Sequence, residues 1–251
     1  MQVIVDNITV NFSASESGTL AALGPVSFTI ETGSFVALLG PSGCGKSTLI
    51  RVIAGLQKPS SGDVRVDDGF ITEPHDGVGM MFQDSNLMPW RSVYDNIALP
   101  LELRGISRKE QSKRVHTLLP GLGLEEFSES YPGNLSGGMA QRTALGRVLI
   151  QQPKVLLLDE PFGALDAMTR EKISLDLLRV WADFKQTVLM VTHDINEAVL
   201  LADRILVMSQ RPGRLVADIE VPLERPRKLE MVYTTPFVET AREVREAIDR
   251  A

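Results

Sequence analysis

Four short apolar runs punctuate the chain: Phe35 to Leu39, Val155 to Leu158, Val188 to Val191 and Ile205 to Met208. They are too short for buried helices and lack two-residue alternation. They are therefore expected to be strands covered on both faces of a mainly parallel sheet. Helical patterns lie between them. Thr48 to Ala54 reads as a helix stopped at Gly55, and Ser107 to Leu119 opens with Ser107 and Glu110 at capping-box spacing. Ile173, Leu177, Val180 and Trp181 share one helical face, and Asp194 and Glu197 start a further helix. Val3 to Val10 and Val26 to Ile30 alternate instead, as antiparallel edge strands do. From about 93 to 150 no strand pattern occurs, so a helical insertion is expected. After Arg211 the chain turns rich in Pro and Arg (RPGRL, VPLERPRK) and ends in an amphipathic helix over about 236 to 251. The pattern predicts one α/β domain over 1–251. It has a mainly parallel core, an N-terminal antiparallel β-subdomain, an inserted helical subdomain and a tail from about 211.

Composition narrows the class. With 251 residues, 43% hydrophobic and 23% charged, the chain is neither disordered, collagen-like nor a coiled coil. Lys+Arg 26 against Asp+Glu 32 gives a net charge of −6, which argues against general nucleic-acid binding. One cysteine excludes an intramolecular disulfide. No apolar run approaches the roughly 20 residues of a membrane helix. The start MQVIVDNITVNF lacks a basic segment followed by an apolar one, so a secretory signal is not expected. The reading is a cytosolic protein, or one held at a membrane by partners.

The chemistry sits in the connections. Gly40-Pro41-Ser42-Gly43-Cys44-Gly45-Lys46-Ser47 matches G-x-x-x-x-G-K-[ST], preceded by FVALL as a strand and followed by a helix from Thr48. Glycines let backbone N–H groups converge on phosphate oxygens, and the helix N-terminus adds partial positive charge. Lys46 is expected to reach the β/γ-phosphates and Ser47 to ligate Mg²⁺. Cys44 reads as a small loop residue, with a reactive thiol as the alternative. The strand VLLL ends in Asp159 and Glu160, an acid to hold the metal and a general base to polarise water. Leu135-Ser136-Gly137-Gly138-Met139 opens a helix 20 residues before Asp159 and makes a second anion site.

Two such loops exceed what one nucleotide requires within one P-loop domain. LSGGM upstream of LLLDEP, after GPSGCGKST, resembles the ATP-binding subunit of ABC transporters over nearly the whole chain. The resemblance implies a head-to-tail homodimer in which Leu135 to Met139 of one chain contact the γ-phosphate on the other chain's P-loop. It implies that Gln83, after VGMMF, touches Mg²⁺ and the attacking water, and that His193, after TVLMVT, hydrogen-bonds the γ-phosphate. Asp166 matches the aspartate that crosses the dimer interface, and as a residue it also reads as a helix N-cap. Phe12 is the candidate to stack on adenine, with a core role as the alternative; the loop SASESGTL after it is longer than usual. Met139 replaces the common glutamine, and Gly146 replaces a common alanine at a helix cost of about 1 kcal/mol.

The stretch Gln83 to Ile97, with Pro89-Trp90-Arg91, and the tail RPGRL…VPLERPR resemble the nitrate/sulfonate/taurine importer branch. That implies ATP and Mg²⁺, two membrane-spanning permease subunits docking near Leu87 and Trp90, and indirectly a solute-binding protein. It places the chain at the cytoplasmic face of the inner membrane, without nucleic acid. The alternatives are a soluble ABC ATPase for cofactor assembly and an exporter or lipoprotein-release ATPase. No C-terminal regulatory domain is expected.

Overall fold

The N-terminal alternation folds as a hairpin. β1 (Val3–Ala14) pairs antiparallel with β2 (Gly18–Ile30), with Val3 opposite Ile30 and Phe12 opposite Leu20. The computed structural model describes residues 1–14, 18–163 and 165–251. Most of SASESGTL, expected as loop, is therefore strand, and its residues 15–17 lie outside the described residues. β3 (Phe35–Leu39) and α1 (Lys46–Ile53) follow, then β4 (Ser61–Val66), β5 (Gly69–Phe70) and β6 (Val78–Met81). The antiparallel sheet runs β2-β1-β4-β5, so β1 is an inner strand rather than the expected edge. Its second partner, SGDVRV, buries only Val64 and Val66, too little alternation to announce a strand.

Between β6 and β7 (Val155–Asp159) lie α2 (Val93–Leu103), α3 (Arg108–Leu122), two short 3₁₀ turns and α4 (Gly137–Leu149). α3 carries Pro120 and ends at Gly123, whose left-handed φ of 60° closes the helix three residues later than expected. α5 (Ala167–Phe184), β8 (Thr187–Val191), α6 (Ile195–Leu201), β9 (Arg204–Met208), β10 (Leu215–Glu220) and α7 (Thr235–Asp249) complete the chain. On α5, Ile173, Leu177 and Trp181 are buried together, and the Val180 side chain lies outside the description. β10 was hidden in the Pro- and Arg-rich tail. It is an amphipathic edge strand, antiparallel to β9, with Arg204 and Asp218 bridging the pair.

The second sheet runs β10-β9-β3-β8-β7-β6, with every neighbouring pair parallel except β10 and β9. Its inner strands bury both faces. Phe35, Ala37, Leu39, Leu156, Leu158, Val188 and Met190 face the core shared with the helices. Val36, Leu38, Val155, Leu157, Leu189 and Val191 face the core under α1 and the antiparallel sheet. Two covered faces explain why these strands read as continuous apolar runs. Gly146, read as a mid-helix penalty, sits where α4 meets its neighbours. A Cβ there would lie 2.6 Å from Leu122 Cδ1 and 3.1 Å from Ile97 Cδ1, so close packing accounts for the residue.

Candidate active site

The carboxyl ends of adjacent parallel strands deliver the chemistry-bearing residues to one cleft, where a ligand of an open α/β sheet is expected. β3 leads into Gly40 to Ser47, β6 into Gln83, β7 into Asp159 and Glu160, and β8 into His193. Gly45 takes φ 106°, a turn that favours glycine, and releases the chain into α1. Side chains of Ser92, Ser107, Ser136, Asp166 and Asp194 cap α2 to α6. α1 has no side-chain cap and no acid in its first turn, so its leading N–H groups stay available to an anion. Gly40, Ser42, Gly43, Lys46, Ser47 and Thr48 all line the cleft, whose volume is about 490 Å³. The buried Lys46 folds back, its Nζ donating to the carbonyls of Gly40 at 2.7 Å and Pro41 at 2.9 Å. Cys44 is 1% exposed, which favours its reading as a packed loop residue over a reactive thiol.

Ser47 Oγ donates to Asp159 Oδ1 at 3.1 Å. Burial pushes the Asp159 carboxyl above the ordinary carboxylate range, the Ser47 hydroxyl pulling partly back. Glu160 sits just past the strand with φ 48°, a left-handed conformation costly for a non-glycine residue. Its Oε2 accepts from Gln83 Nε2 at 3.3 Å and lies 3.3 Å from His193 Nδ1. Two sequence-predicted residues from two strand ends thus converge on a carboxylate oxygen of a third, at the end of the strand between them.

Behind them the buried Glu197 carboxyl is pushed up to about 7, chiefly by desolvation, against a hydrogen bond from Thr192 that lowers it. Asp194 and Glu160 raise it and Arg170 lowers it. Its folded-state value exceeds the unfolded one. Its contribution to stability is therefore fully present below about pH 4.5 and lost as pH rises through about 7. Glu197→Gln should accordingly stabilise the protein by a few kcal/mol at about pH 8.5 and by little at about pH 5. Denaturant melts at both pH values check this, and a gain independent of pH contradicts it.

Phe12, 43% exposed, and Leu20 opposite it form the outer lip of the cleft. This favours the exposed role over a core one. Arg211 is the residue that sequence reasoning missed. The loop after β9 runs beside β2, with Gly24 N–H donating to Gly213 O and Gly213 N–H to Ala22 O. That brings Arg211 into the cleft, where Nε and Nη2 donate to the Gly43 carbonyl at 3.2 and 3.1 Å. Only RPGRL hinted at it, and nothing in the sequence pairs position 211 with position 43. With Lys46, Arg211 brings positive charge to the cleft's described lining, so Arg211→Ala should weaken binding of a phosphate-bearing nucleotide about tenfold, read by nucleotide titration; unchanged affinity contradicts the role.

Leu135 to Met139 do not line this cleft. Ser136 caps α4 by accepting from Met139 N–H at 3.3 Å, Leu135 and Met139 pack on the core, and Ser136 and Gly137 are exposed. Asp166 caps α5, accepting from Thr169 N–H at 3.0 Å. The Thr169 hydrogen bonds hold its carboxyl below the ordinary range, and it remains exposed. α4 also grips the segment after β6. Gln141 Nε2 donates to Gln83 O at 2.8 Å, while Arg147 donates to Ser85 O and Asn86 O, both at 2.8 Å.

The sequence matches the ABC transporter family over residues 23–163. The chain belongs to that family. It is 44% identical to an aliphatic sulfonates import ATP-binding protein of Bacillus cereus, covering 90% of this chain and 89% of the relative. It is 44% identical to a taurine import ATP-binding protein of Rhizobium johnstonii (88% and 84%). With a nitrate import ATP-binding protein of Synechocystis the identity is 47% (82% and 77%). Among solved structures, a dimeric ATP-binding cassette bound to ADP and Pi in a post-hydrolysis state superposes with a TM-score of 0.79. It is 34% identical and covers 88% of this chain and 100% of that one.

The ABC cassette presents one further feature in the segment that follows Gln83. Trp90 is 70% exposed, whereas Leu87 packs against the core. The loop carrying Trp90 is fixed by the fully buried Asn96, which accepts from Met88 N–H at 2.8 Å and donates to the carbonyls of Met88, Arg91 and Ser92. Among the described residues no helix is long and apolar enough to cross a membrane.

Proposed function

We propose that this ABC cassette hydrolyses ATP to energise an importer of a small solute of the nitrate, sulfonate or taurine kind. It works as a head-to-tail homodimer on two membrane-spanning permease subunits, at the cytoplasmic face of the membrane, with a binding protein delivering the solute. Residues 1–251 act as one cassette, with about 93–150 as its helical insertion and about 211–251 as its tail. The observation that carries this reading is the single cleft uniting Lys46, Ser47, Gln83, Glu160 and His193. The import roles named for the relatives favour it over cofactor assembly or export.

ATP and water give ADP and phosphate. Lys46 exchanges its two carbonyl partners for β/γ-phosphate oxygens, and the free N–H groups of α1 bind the same anion. Glu160 accepts the proton of the attacking water, held in place by Gln83 and His193. The hydroxyl of Ser47, the Asp159 carboxylate and the Gln83 amide oxygen are hard donors that suit Mg²⁺, which neutralises phosphate charge when bound. Phe12 offers its exposed ring to the base. Ser136, Gly137 and Gly138 reach the γ-phosphate held by the second copy, since they stand outside their own chain's cleft.

Trp90 is the proposed contact for a permease helix. Trp90→Glu should abolish uptake in vesicles reconstituted with the permease while leaving the ATPase rate of the free subunit within about twofold. Unimpaired uptake removes the docking role. Leu87 is a poor probe, because a charge there would enter the core.

A further inference from the structure

A second concavity, of about 870 Å³, opens between α5 and the segment 225–230, on the far side of β3 from the antiparallel sheet's core. Its volume lies within the range of small-molecule sites. The floor is apolar, built on Leu178 and Trp181, both 7% exposed, with Leu229 beside them. The Trp181 indole donates to Gln186 O at 2.7 Å, so its polar atom is satisfied, and its largely buried ring is covered on one face by Arg225. Basic groups line the groove, Arg179, Lys185, Arg225 and Lys228 with the buried Arg227, against Glu230 as the single acid among the described residues of the lining. A chain of net charge −6 thus concentrates cations at this place.

The two guanidiniums share one carboxylate. Arg225 stacks 4.0 Å above the Trp181 ring and pairs with Asp203 at 2.8 Å, while Arg227 reaches the same carboxylate only at 3.8 Å. The Arg227 side chain is 1% exposed. It donates to Val199 O and Ala202 O, yet its buried Nε has no partner among the described residues. Burial, and then the charge of Arg225, push Arg227 down to about 10. An anion beside these groups would relieve both penalties.

We propose that this groove binds a small amphipathic organic anion, its apolar body over Leu175, Leu178 and Leu229 beside Trp181 and its charged head at Arg225 and Lys228, next to the buried Arg227. A small molecule is favoured over a membrane surface because the apolar groups lie at the bottom of a concavity rather than on a protruding face. The site is separate from the ATP cleft, with which it shares no lining residue among the described residues.

The test uses the full chain carrying Trp90→Phe, which leaves Trp181 as its only tryptophan. The probe is 8-anilinonaphthalene-1-sulfonate, read by energy transfer from Trp181. Saturable one-site binding is expected, unchanged by excess Mg-ATP, displaced by hexanesulfonate and not by taurine, which lacks the apolar body. Charge reversal at the exposed pair Lys185→Glu and Lys228→Glu should weaken the probe about tenfold, with the melting temperature checked to be unchanged. A milder Lys228→Gln variant should weaken it less. Absence of saturable binding, displacement by ATP, or affinity indifferent to the charge reversal overturns the proposal. So does a result in which the protein binds anionic phospholipid vesicles through the same lysines while the probe does not bind.

Discussion

Replacing Lys46 by Ala is expected to reduce ATP turnover below detection while leaving the fold intact. The Nζ is held at 2.7 and 2.9 Å by the loop's own carbonyls, Gly40 and Pro41, and Lys46 as a residue is 7% exposed at the uncapped start of α1. In the folded chain this ammonium bonds the loop through two backbone carbonyls, with the Cys44 sulfur at 3.9 Å. Toward a nucleotide it would be the charge that offsets the β/γ-phosphates in a partly buried place, where Coulomb terms are poorly screened. Losing it should cost about 10³-fold or more in kcat/KM. The measurement is phosphate release by purified native and variant chains, with melting curves beside it. Turnover at the native rate sinks the assignment of the cleft, whatever happens to stability.

Such a test could be written from sequence because local chemistry is local in the chain. FVALL, VLLLD and TVLMV are contiguous, and the residues that leave their ends stay within a few positions of them. The parallel sheet then brings Gln83, Glu160 and His193 together without any further instruction. What could not be read is what depends on pairs distant in sequence. Arg211 contacts Gly43 across 168 positions, and Gln141 holds the Gln83 carbonyl across 58. Neither residue carries a pattern of its own. β4 and β10 were missed for a related reason. Their apolar residues make a strand only once β1 and β9 stand alongside to supply hydrogen bonds and a buried face. Phe12 shows the converse. Its exposure at the cleft lip follows from the hairpin register opposite Leu20, whereas sequence alone left stacking and core packing both open.

Replacing Glu160 by Gln should slow hydrolysis by about 10² or more and let an ATP-bound dimer accumulate. The carboxylate stands on a strained backbone, φ 48°, with Gln83 and His193 on one of its oxygens. Glutamine keeps the size and much of this hydrogen bonding but cannot take a proton from water. Substrate should then stay whole between two chains, because each cleft lacks the Ser136 loop that its own chain carries elsewhere. The γ-phosphate would be the group both helix termini seek, that of α1 in one chain and that of α4 in the other. Sizing chromatography of Glu160→Gln should therefore show a dimer with Mg-ATP and a monomer with Mg-ADP. Adding Ser136→Arg places a long side chain at the exposed cap of α4, away from the variant's own cleft, and should return the protein to monomer without weakening ATP binding to each chain. Ser136 Oγ also caps Met139 N–H, so Ser136→Ala is the gentler control, expected to weaken the dimer without abolishing it. A dimer that forms equally well with Ser136→Arg sinks the head-to-tail arrangement, because nothing else in the proposal puts that serine at the junction.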